Sequence, residues 1–247
     1  MKNKNGWQFW IDRGGTFTDV VACRPDGLII TDKLLSTNPS NYEDAAEEGV
    51  RRALGIDPGI SINGSCINDV RMGTTIATNA LLERKGERTL LVVTKGFKDA
   101  LRIGYQERPK LFDLNIKLPE MLYEKVIEVN ERVSVDGEIL QYLDEKSTRT
   151  SLQNAYDEGF RSVAIVLMHG YKYSEHEDLI ERVAKKLGFD QISTSSKISP
   201  LPKIVCRGDT TVADAYLSPI LKKYIHNFNL NIMKNIDKKN KLKNIYF

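Results

Sequence analysis

The sequence has few of the features that mark metal-binding, disulfide-bonded, nucleic-acid-binding or membrane-spanning proteins. Its three cysteines, Cys23, Cys66 and Cys206, are far apart and form no Cys-x-x-Cys pair, so neither a zinc site nor a disulfide framework is expected. A net charge of +3 is too small an excess to indicate a nucleic-acid partner. No apolar run has the length of a signal peptide or a membrane span, so we expect a cytoplasmic protein without a membrane partner.

The first part of the chain has the pattern of three strands followed by a helix. With 41% hydrophobic residues in 247, the chain can build the core of one large domain or two small ones. Apolar runs predict strands at 7–11, 17–24 and 28–33, joined by a Gly14-Gly15 turn and a Pro-Asp-Gly turn. Ser40 and Glu43 form a capping-box pattern, which predicts a helix from there to about Leu54.

Beyond residue 70, strand and helix patterns alternate. Strands are predicted at 70–72, 89–94, 126–133, 162–167 and 191–195, and helices at 76–85, 145–158, after Ser174, and from Asp209 past Tyr224. His176 falls in the first turn of the helix after Ser174, and we expect it on the surface. Alternation of this kind predicts an α/β fold with helices packed on a sheet.

The turn between the first two strands carries unusually many polar residues. In FWIDRGGTFTDVVA, Asp12 ends a strand, Gly14 and Gly15 form the turn, and Thr16 and Thr18 alternate after it. Glycine turns can point successive main-chain N–H groups into one concavity that binds anionic oxygens, and a carboxylate at its rim can hold hydrated Mg²⁺. The alternative is a plain glycine hairpin whose threonines are ordinary strand formers.

A second polar turn lies between the strand at 70–72 and the next helix. Gly73, Thr74 and Thr75 lead directly into that helix, whose first N–H groups and dipole favour an anion. The alternative is that Thr75 only caps the helix. A cap alone leaves Thr74, Thr78 and Asn79 unexplained.

Several long motifs resemble the N-terminal region of the hydantoinase A / 5-oxoprolinase family. They are IDRGGTFTDVVA, RMGTTIATNALLERKGERTLLVVTKGFKDALRIGYQERPKLFDL, PEMLYEKVIEVNERV and RGDTTVADAYLSPIL. The resemblance implies an RNase H-like first lobe of the actin, Hsp70 and sugar-kinase superfamily with an additional α/β unit. It also implies a division into the N-terminal domain at 7–200, the start of a hydantoinase A-type domain at 201–228, and an Asn/Lys-rich tail at 229–247.

The same resemblance implies a hydrolase that uses ATP and Mg²⁺ to open a small cyclic amide, and the ERPKLFDLNIKLPEMLYE stretch is most similar to ATP-dependent 5-oxoprolinases. Phosphorylation of the amide oxygen would make it a leaving group, while the protein supplies positioning and charge stabilisation. The implied phosphate-binding residues are Gly14, Gly15, Thr16 and Thr18. Asp12, with Thr16, is implied in catalysis and holds Mg²⁺ through water. The implied substrate-cleft residues are Gly73, Thr74, Thr75, Asn79, Arg108 and Arg207, the two arginines being either carboxylate ligands or solvated.

Members of this family continue into a second lobe with another phosphate loop, so we expect this chain to be incomplete by itself. The missing part would be that second lobe or a hydantoinase B-type partner. The alternatives are a hydantoinase A-type subunit acting on a hydantoin, a catalytically incomplete binding remnant, and a sugar-kinase-like phosphotransferase.

Overall fold

The computed structural model describes residues 6–57, 60, 62–106, 112, 114–115, 118–233 and 244–246. The chain divides into two compact units. Unit 1 comprises the described residues of Met1–Glu83 and Ile220–Phe247, and unit 2 comprises those of Arg84–Pro219. The predicted division at residue 200 therefore falls inside unit 2.

Unit 1 is built on a five-stranded mixed sheet. The strands are β1 (Trp7–Arg13), β2 (Phe17–Cys23), β3 (Ile29–Leu35), β4 (Ile67–Thr74) and β11 (Asn244–Tyr246). Their order is β11-β4-β1-β2-β3; the first three strands are antiparallel, and two strands parallel to β1 complete the sheet. The three predicted N-terminal strands are confirmed to within two residues, because alternating apolar positions and glycine turns mark their ends.

One face of this sheet packs on helix α1 (Ala45–Leu54). Phe9, Ile11 and Val20 point into this core and are almost fully buried, whereas Trp10, on the opposite face, is 37% exposed. The helix approaches the sheet closely at Gly49, where a Cβ atom would lie 2.5 Å from Val20 Cγ2. A second, short helix, α2 (Ile76–Leu82), follows β4.

The predicted start of α1 is wrong. Asp44, not Ser40, is the N-cap, and its carboxylate accepts hydrogen bonds from the N–H groups of Ala46 and Glu47, both at 3.0 Å. Ser40 lies in a turn closed by the hydrogen bonds that the Asn41 and Tyr42 N–H groups donate to the Asn38 carbonyl. The chain reverses direction there, so no helix begins at Ser40 despite the capping-box spacing.

Unit 2 is built on a four-stranded parallel sheet. The sheet strands are β5 (Thr89–Thr94), β6 (Tyr123–Val129), β9 (Ser162–Val166) and β10 (Gln191–Thr194), and β7 (Arg132–Val133) pairs separately with β8 (Ile139–Gln141). The order in the sheet is β10-β9-β5-β6, and every residue of β5 and β9 is buried, as expected for parallel strands covered on both faces. The helices are α3 (Ala100–Ile103), α4 (Glu145–Asp157), α5 (Glu175–Leu187), α6 (Ser195–Ile198) and α7 (Ile204–Met233).

Side chains of α5 form hydrogen bonds and ion pairs within unit 2. His176, expected on the surface, is buried and its Nδ1 lies 2.8 Å from Glu131 Oε2. Thr94, at the end of β5, donates to the other oxygen of Glu131. In the middle of α5, Glu181 pairs with Lys185 and Lys197. The expectation for His176 is wrong because the first turn of α5 faces the strand ends of the sheet, which sequence periodicity does not reveal.

Helix α7 begins before the predicted Asp209 and includes Pro219 in its interior. Its residues up to Pro219 belong to unit 2 and those from Ile220 onward to unit 1. Val212 and Ala215 pack on unit 2, while Tyr224 and Phe228 pack in unit 1. Among the described residues, neither α7 nor any other helix combines the length and apolarity needed to cross a lipid bilayer.

Candidate functional site

The two polar turns singled out in the sequence come together at one end of the unit 1 sheet, where β1 and β4 end. Strands β1 and β4 are parallel and in register at Arg13 and Thr74, so both end on the same side. The Thr75 N–H donates to the Arg13 carbonyl at 3.1 Å. A Cβ atom at Gly15 would lie 3.0 Å from the amide nitrogen of Asn79. The hairpin turn and the first turn of α2 therefore form one continuous rim.

The hairpin turn presents unpaired main-chain donors at this rim. The Gly14 N–H closes the turn on the Phe17 carbonyl at 3.0 Å, and the Thr16 carbonyl accepts from the Ser36 N–H at 2.9 Å. Within the described part of the chain, the N–H groups of Gly15 and Thr16 have no acceptor, nor does the exposed Thr16 hydroxyl. The turn is braced from behind while two N–H groups and one hydroxyl face solvent.

Thr18 has a different place from the one predicted. Its side chain has no exposed surface, and its Oγ1 lies 2.9 Å from the Ser36 hydroxyl. Ser36 in turn donates to the Gly14 carbonyl at 2.8 Å. The prediction that the Thr18 hydroxyl contacts phosphate is wrong, because Thr18 lies on the core face of β2 and braces the turn. The N–H of Gly14 is likewise used inside the turn.

Asp12 stands beside the rim with its carboxylate available. The residue is exposed, and among the described residues its carboxylate makes no hydrogen bond or ion pair. It is in register with Asp19 on β2 and with Gly73 on β4. Asp19 is occupied by Lys33, whose Nζ lies 2.9 Å from Oδ1, and a Cβ atom at Gly73 would lie 3.4 Å from Asp12 Oδ1. Glycine at position 73 thus leaves the space beside the Asp12 carboxylate open.

The second turn uses its hydroxyl groups partly for its own structure. Thr74 Oγ1 accepts from the Ile76 N–H at 3.2 Å, so Thr74 rather than Thr75 satisfies the start of α2. Thr75 Oγ1 lies 3.4 Å from both the Arg13 carbonyl and the Asn79 amide nitrogen. Asn79 therefore links this turn to the hairpin turn, next to Gly15.

Arg13 is a supporting residue that the motif analysis missed. Its guanidinium lies 2.6 Å from Asp44 and 4.7 Å from the centroid of the Tyr224 ring. Burial and the nearby Asp44 carboxylate raise the pKa of the Tyr224 phenol. Since Asp44 also caps α1, Arg13 anchors the hairpin turn to the helix under the sheet. The sequence signal that could have identified Arg13 is its position one residue after Asp12, which places it on the opposite face of β1.

One of the two arginines predicted to bind a substrate carboxylate has its donors occupied inside the protein. Arg207 lies in unit 2, has no exposed surface, and donates to Ser195 Oγ and to main-chain carbonyls. That prediction is wrong for Arg207, because its donors are already taken by acceptors inside the protein. Arg108 lies outside the described residues.

Comparison with known proteins settles the family. Residues 8–188 match the sequence profile of the hydantoinase/oxoprolinase N-terminal region. The chain belongs to this family. It is 46% identical over 249 residues to 5-oxoprolinase 1 of Arabidopsis thaliana, covering 90% of this chain and 20% of that protein. It is 41% identical over 266 residues to the 5-oxoprolinase of Dictyostelium discoideum, covering 95% of this chain and 21% of that protein.

Solved structures show the same fold. The crystal structure of ATP-dependent caprolactamase from Pseudomonas jessenii matches with a TM-score of 0.76 and 24% identity, covering 94% of this chain and 34% of that chain. The predicted fold class, an RNase H-like lobe with an additional α/β unit, is confirmed. The chain spans about one fifth of the length of these two 5-oxoprolinases.

Proposed function

We propose that this chain is the N-terminal lobe of an ATP-dependent cyclic-amide hydrolase, most like 5-oxoprolinase. The reaction would convert 5-oxo-L-proline, ATP and water into L-glutamate, ADP and phosphate. Family membership supports the class of reaction, and relatives named 5-oxoprolinase at 40–46% identity support the substrate. Because the chain spans only about a fifth of those relatives, we expect a second lobe or a hydantoinase B-type partner to complete the active site.

The observation that carries this proposal is the set of unpaired donors at the hairpin turn. The N–H groups of Gly15 and Thr16 and the Thr16 hydroxyl face solvent on a turn that is braced by Ser36. Main-chain N–H groups held in a concavity bind phosphate oxygens without a conformational cost at the moment of binding. We therefore assign the phosphate contacts to Gly15 and Thr16, and restrict Gly14 and Thr18 to shaping the turn.

The residues beside the turn fit a hydrated magnesium ion. Asp12 has an exposed carboxylate with no partner among the described residues, and Gly73 keeps the adjacent space open. Carboxylate oxygens suit Mg²⁺, which usually retains several waters and binds phosphates as well as protein. Asp12 would hold the ion through water, and the ion when bound would neutralise phosphate charge.

The rim formed by the second turn would face the transferred phosphoryl group or the substrate. Thr75 and Asn79 lie against the hairpin turn, and Thr74 fixes the start of α2. An amide is a poor electrophile, so the contribution of these side chains is to fix the position of the reacting groups. Gly73 adds no side chain and thereby leaves room for the ligand.

The test measures the binding of ATP with Mg²⁺ to the chain by calorimetry. Thr16→Ala removes one hydroxyl donor to a charged phosphate, so affinity should fall about tenfold or more. Thr18→Val should weaken binding much less, because the Thr18 hydroxyl faces Ser36. Thr150→Ala, at an exposed position on α4, is the matched control and should bind like the unchanged protein.

Release of phosphate in the presence of 5-oxo-L-proline separates the proposed hydrolase from a binding remnant. With a complementing second lobe or partner present, 5-oxo-L-proline should stimulate ATP hydrolysis, and Thr16→Ala should abolish the stimulation. Equal ATP affinity in the Thr16→Ala and Thr150→Ala variants would contradict the assigned phosphate site. Stimulation by a hydantoin but not by 5-oxo-L-proline would instead identify a hydantoinase A-type subunit.

A further inference from the structure

The open face of the unit 1 sheet carries a groove that begins at Asp12. Its volume is about 390 Å³, within the usual range for small-molecule sites. Asp12 and Gly73 lie at one end, next to the rim assigned to phosphate. Trp10, Arg71 and Tyr246 also line the groove, and Trp10 is 37% exposed there. The groove thus combines an aromatic wall with one cation.

Arg71 is held in place by rings and keeps its hydrogen-bond donors free. Its guanidinium carbon lies 5.4 Å from the centroid of the Trp10 ring and 5.8 Å from that of Tyr246. The nearest carboxylate, that of Asp69, is 3.8 Å away, which is beyond hydrogen-bonding distance. Among the described residues, the Arg71 side chain donates no hydrogen bond. A planar guanidinium with free donors is suited to bind a carboxylate through two parallel bonds.

The strand register sets the distance between this cation and the phosphate rim. Arg71 is in register with Trp10, and Gly73 with Asp12, so the two pairs are two residues apart on the same face of the sheet. Two residues along a strand span about 6.6 Å, which is on the scale of a five-membered ring bearing a carboxylate. A small cyclic amide could therefore place its carboxylate at Arg71 and its amide end near Asp12.

We propose that Arg71 binds the substrate carboxylate, with the substrate ring lying against Trp10 and its amide directed toward the Asp12–Gly73 end. This assignment rests on the proposed function, and it replaces the role that the sequence suggested for Arg207. The ligand class is a small cyclic amide carrying a carboxylate, as in 5-oxo-L-proline. The amide N–H is a donor and matches the carboxylate of Asp12 at that end of the groove.

The experiment compares two probes that differ in the carboxylate alone, 5-oxo-L-proline and 2-pyrrolidinone. Their binding to the full chain is measured by ligand-observed NMR and by fluorescence of Trp10, with Trp10→Phe identifying the signal. The unchanged protein should prefer 5-oxo-L-proline. Arg71→Gln should weaken 5-oxo-L-proline binding by about tenfold to a hundredfold and leave 2-pyrrolidinone binding unchanged. Arg71→Lys, which keeps the charge but loses the planar fork, should fall between the two.

Controls separate this proposal from loss of folding and from failure of the ATP site. Arg149→Gln removes an exposed arginine on α4 and should bind both probes normally, and circular dichroism should show that Arg71→Gln is folded. Arg71→Gln should also retain its affinity for ATP with Mg²⁺. If ATP does not bind but 5-oxo-L-proline still binds in a way that depends on Arg71, only the ATP function is rejected.

Three results would overturn the assignment of Arg71. They are no binding of 5-oxo-L-proline to the unchanged protein, equal binding of the two probes, and unchanged 5-oxo-L-proline affinity in Arg71→Gln. In each case ATP binding that depends on Thr16 would leave the proposed function standing.

Discussion

Replacing Arg207 by methionine is expected to destabilise unit 2 rather than to remove a substrate contact. The Arg207 side chain has no exposed surface, and burial lowers the pKa of its guanidinium. Its nitrogens donate five hydrogen bonds to protein acceptors, at distances between 2.6 and 3.1 Å. The acceptors are Ser195 Oγ and the carbonyls of Leu167, Met168, Leu201 and Pro202.

The magnitude follows from what would be left behind in the core. Glu177 is also fully buried and shares the Ser195 hydroxyl with Arg207. Removing the cation would leave this carboxylate without compensating charge and several carbonyls without a donor, which costs about 3 to 5 kcal/mol. At about 3 to 4 °C per kcal/mol for a unit of this size, the melting temperature should fall by about 10 to 20 °C.

Thermal unfolding followed by circular dichroism measures this effect. Arg149→Met, on an exposed face of α4, serves as the control and should change the melting temperature by a degree or two. The double variant with Glu177→Gln should lose less stability than the sum of the two single variants, because the two buried groups compensate each other. A melting temperature of Arg207→Met within a degree of the unchanged protein, together with lost binding of 5-oxo-L-proline, would refute this reasoning.

Three further perturbations test close approaches and a partly buried ion pair. Gly15→Ala should weaken ATP binding in a calorimetric titration, because the new Cβ atom would lie 3.0 Å from the Asn79 amide; adding Asn79→Ala should relieve the steric part. Gly86→Ala should lower the melting temperature strongly, because its Cβ atom would overlap the Tyr216 ring, and Tyr216→Ala should restore part of the loss. Burial disfavours the charge of Glu181, but its two lysine partners outweigh burial and lower its pKa below the usual 4.5. Glu181→Gln should therefore cost about 0.5 to 1 kcal/mol at pH 7. A lowered pKa stabilises the fold above the pKa of the unfolded state, and this stabilisation is lost as the pH falls through the pKa of the folded state. Denaturant titrations should therefore show the difference in stability between Glu181→Gln and the unchanged protein vanish in acid.

The predictions that held depended on local patterns. Strands β1 to β3 and β5 were predictable because their apolar residues alternate or form short runs between turn residues. Asp12, Gly15 and Thr16 could be grouped from the sequence because Asp12 lies near the end of β1 and the other two lie in the turn that follows; their roles stay a prediction. The start of α1 failed because Asp44 and Ser40 offer similar caps, and the turn at Asn38 decided between them.

The predictions that failed depended on which side of an element a residue faces in three dimensions. Thr18 and Thr16 have the same chemistry and alternate along the chain, yet only Thr16 is exposed. His176 and Arg207 look like surface residues by type, but each meets buried oxygen acceptors on other elements. No single-sequence pattern reports those acceptors, because they come from segments far away along the chain.

The sequence by itself determined the family, the order of the longer strands and helices, and the two polar turns, since motifs, hydrophobic period and glycine positions are local properties of the chain. Only the tertiary structure decided that the two turns meet at the same end of the sheet, because this depends on the parallel pairing of β1 with β4. The same pairing places Arg71 beside Trp10 on the open face, whereas the packing of α7 in unit 2 buries Arg207. Long-range pairing and burial thus assigned the roles of side chains whose types alone left several choices.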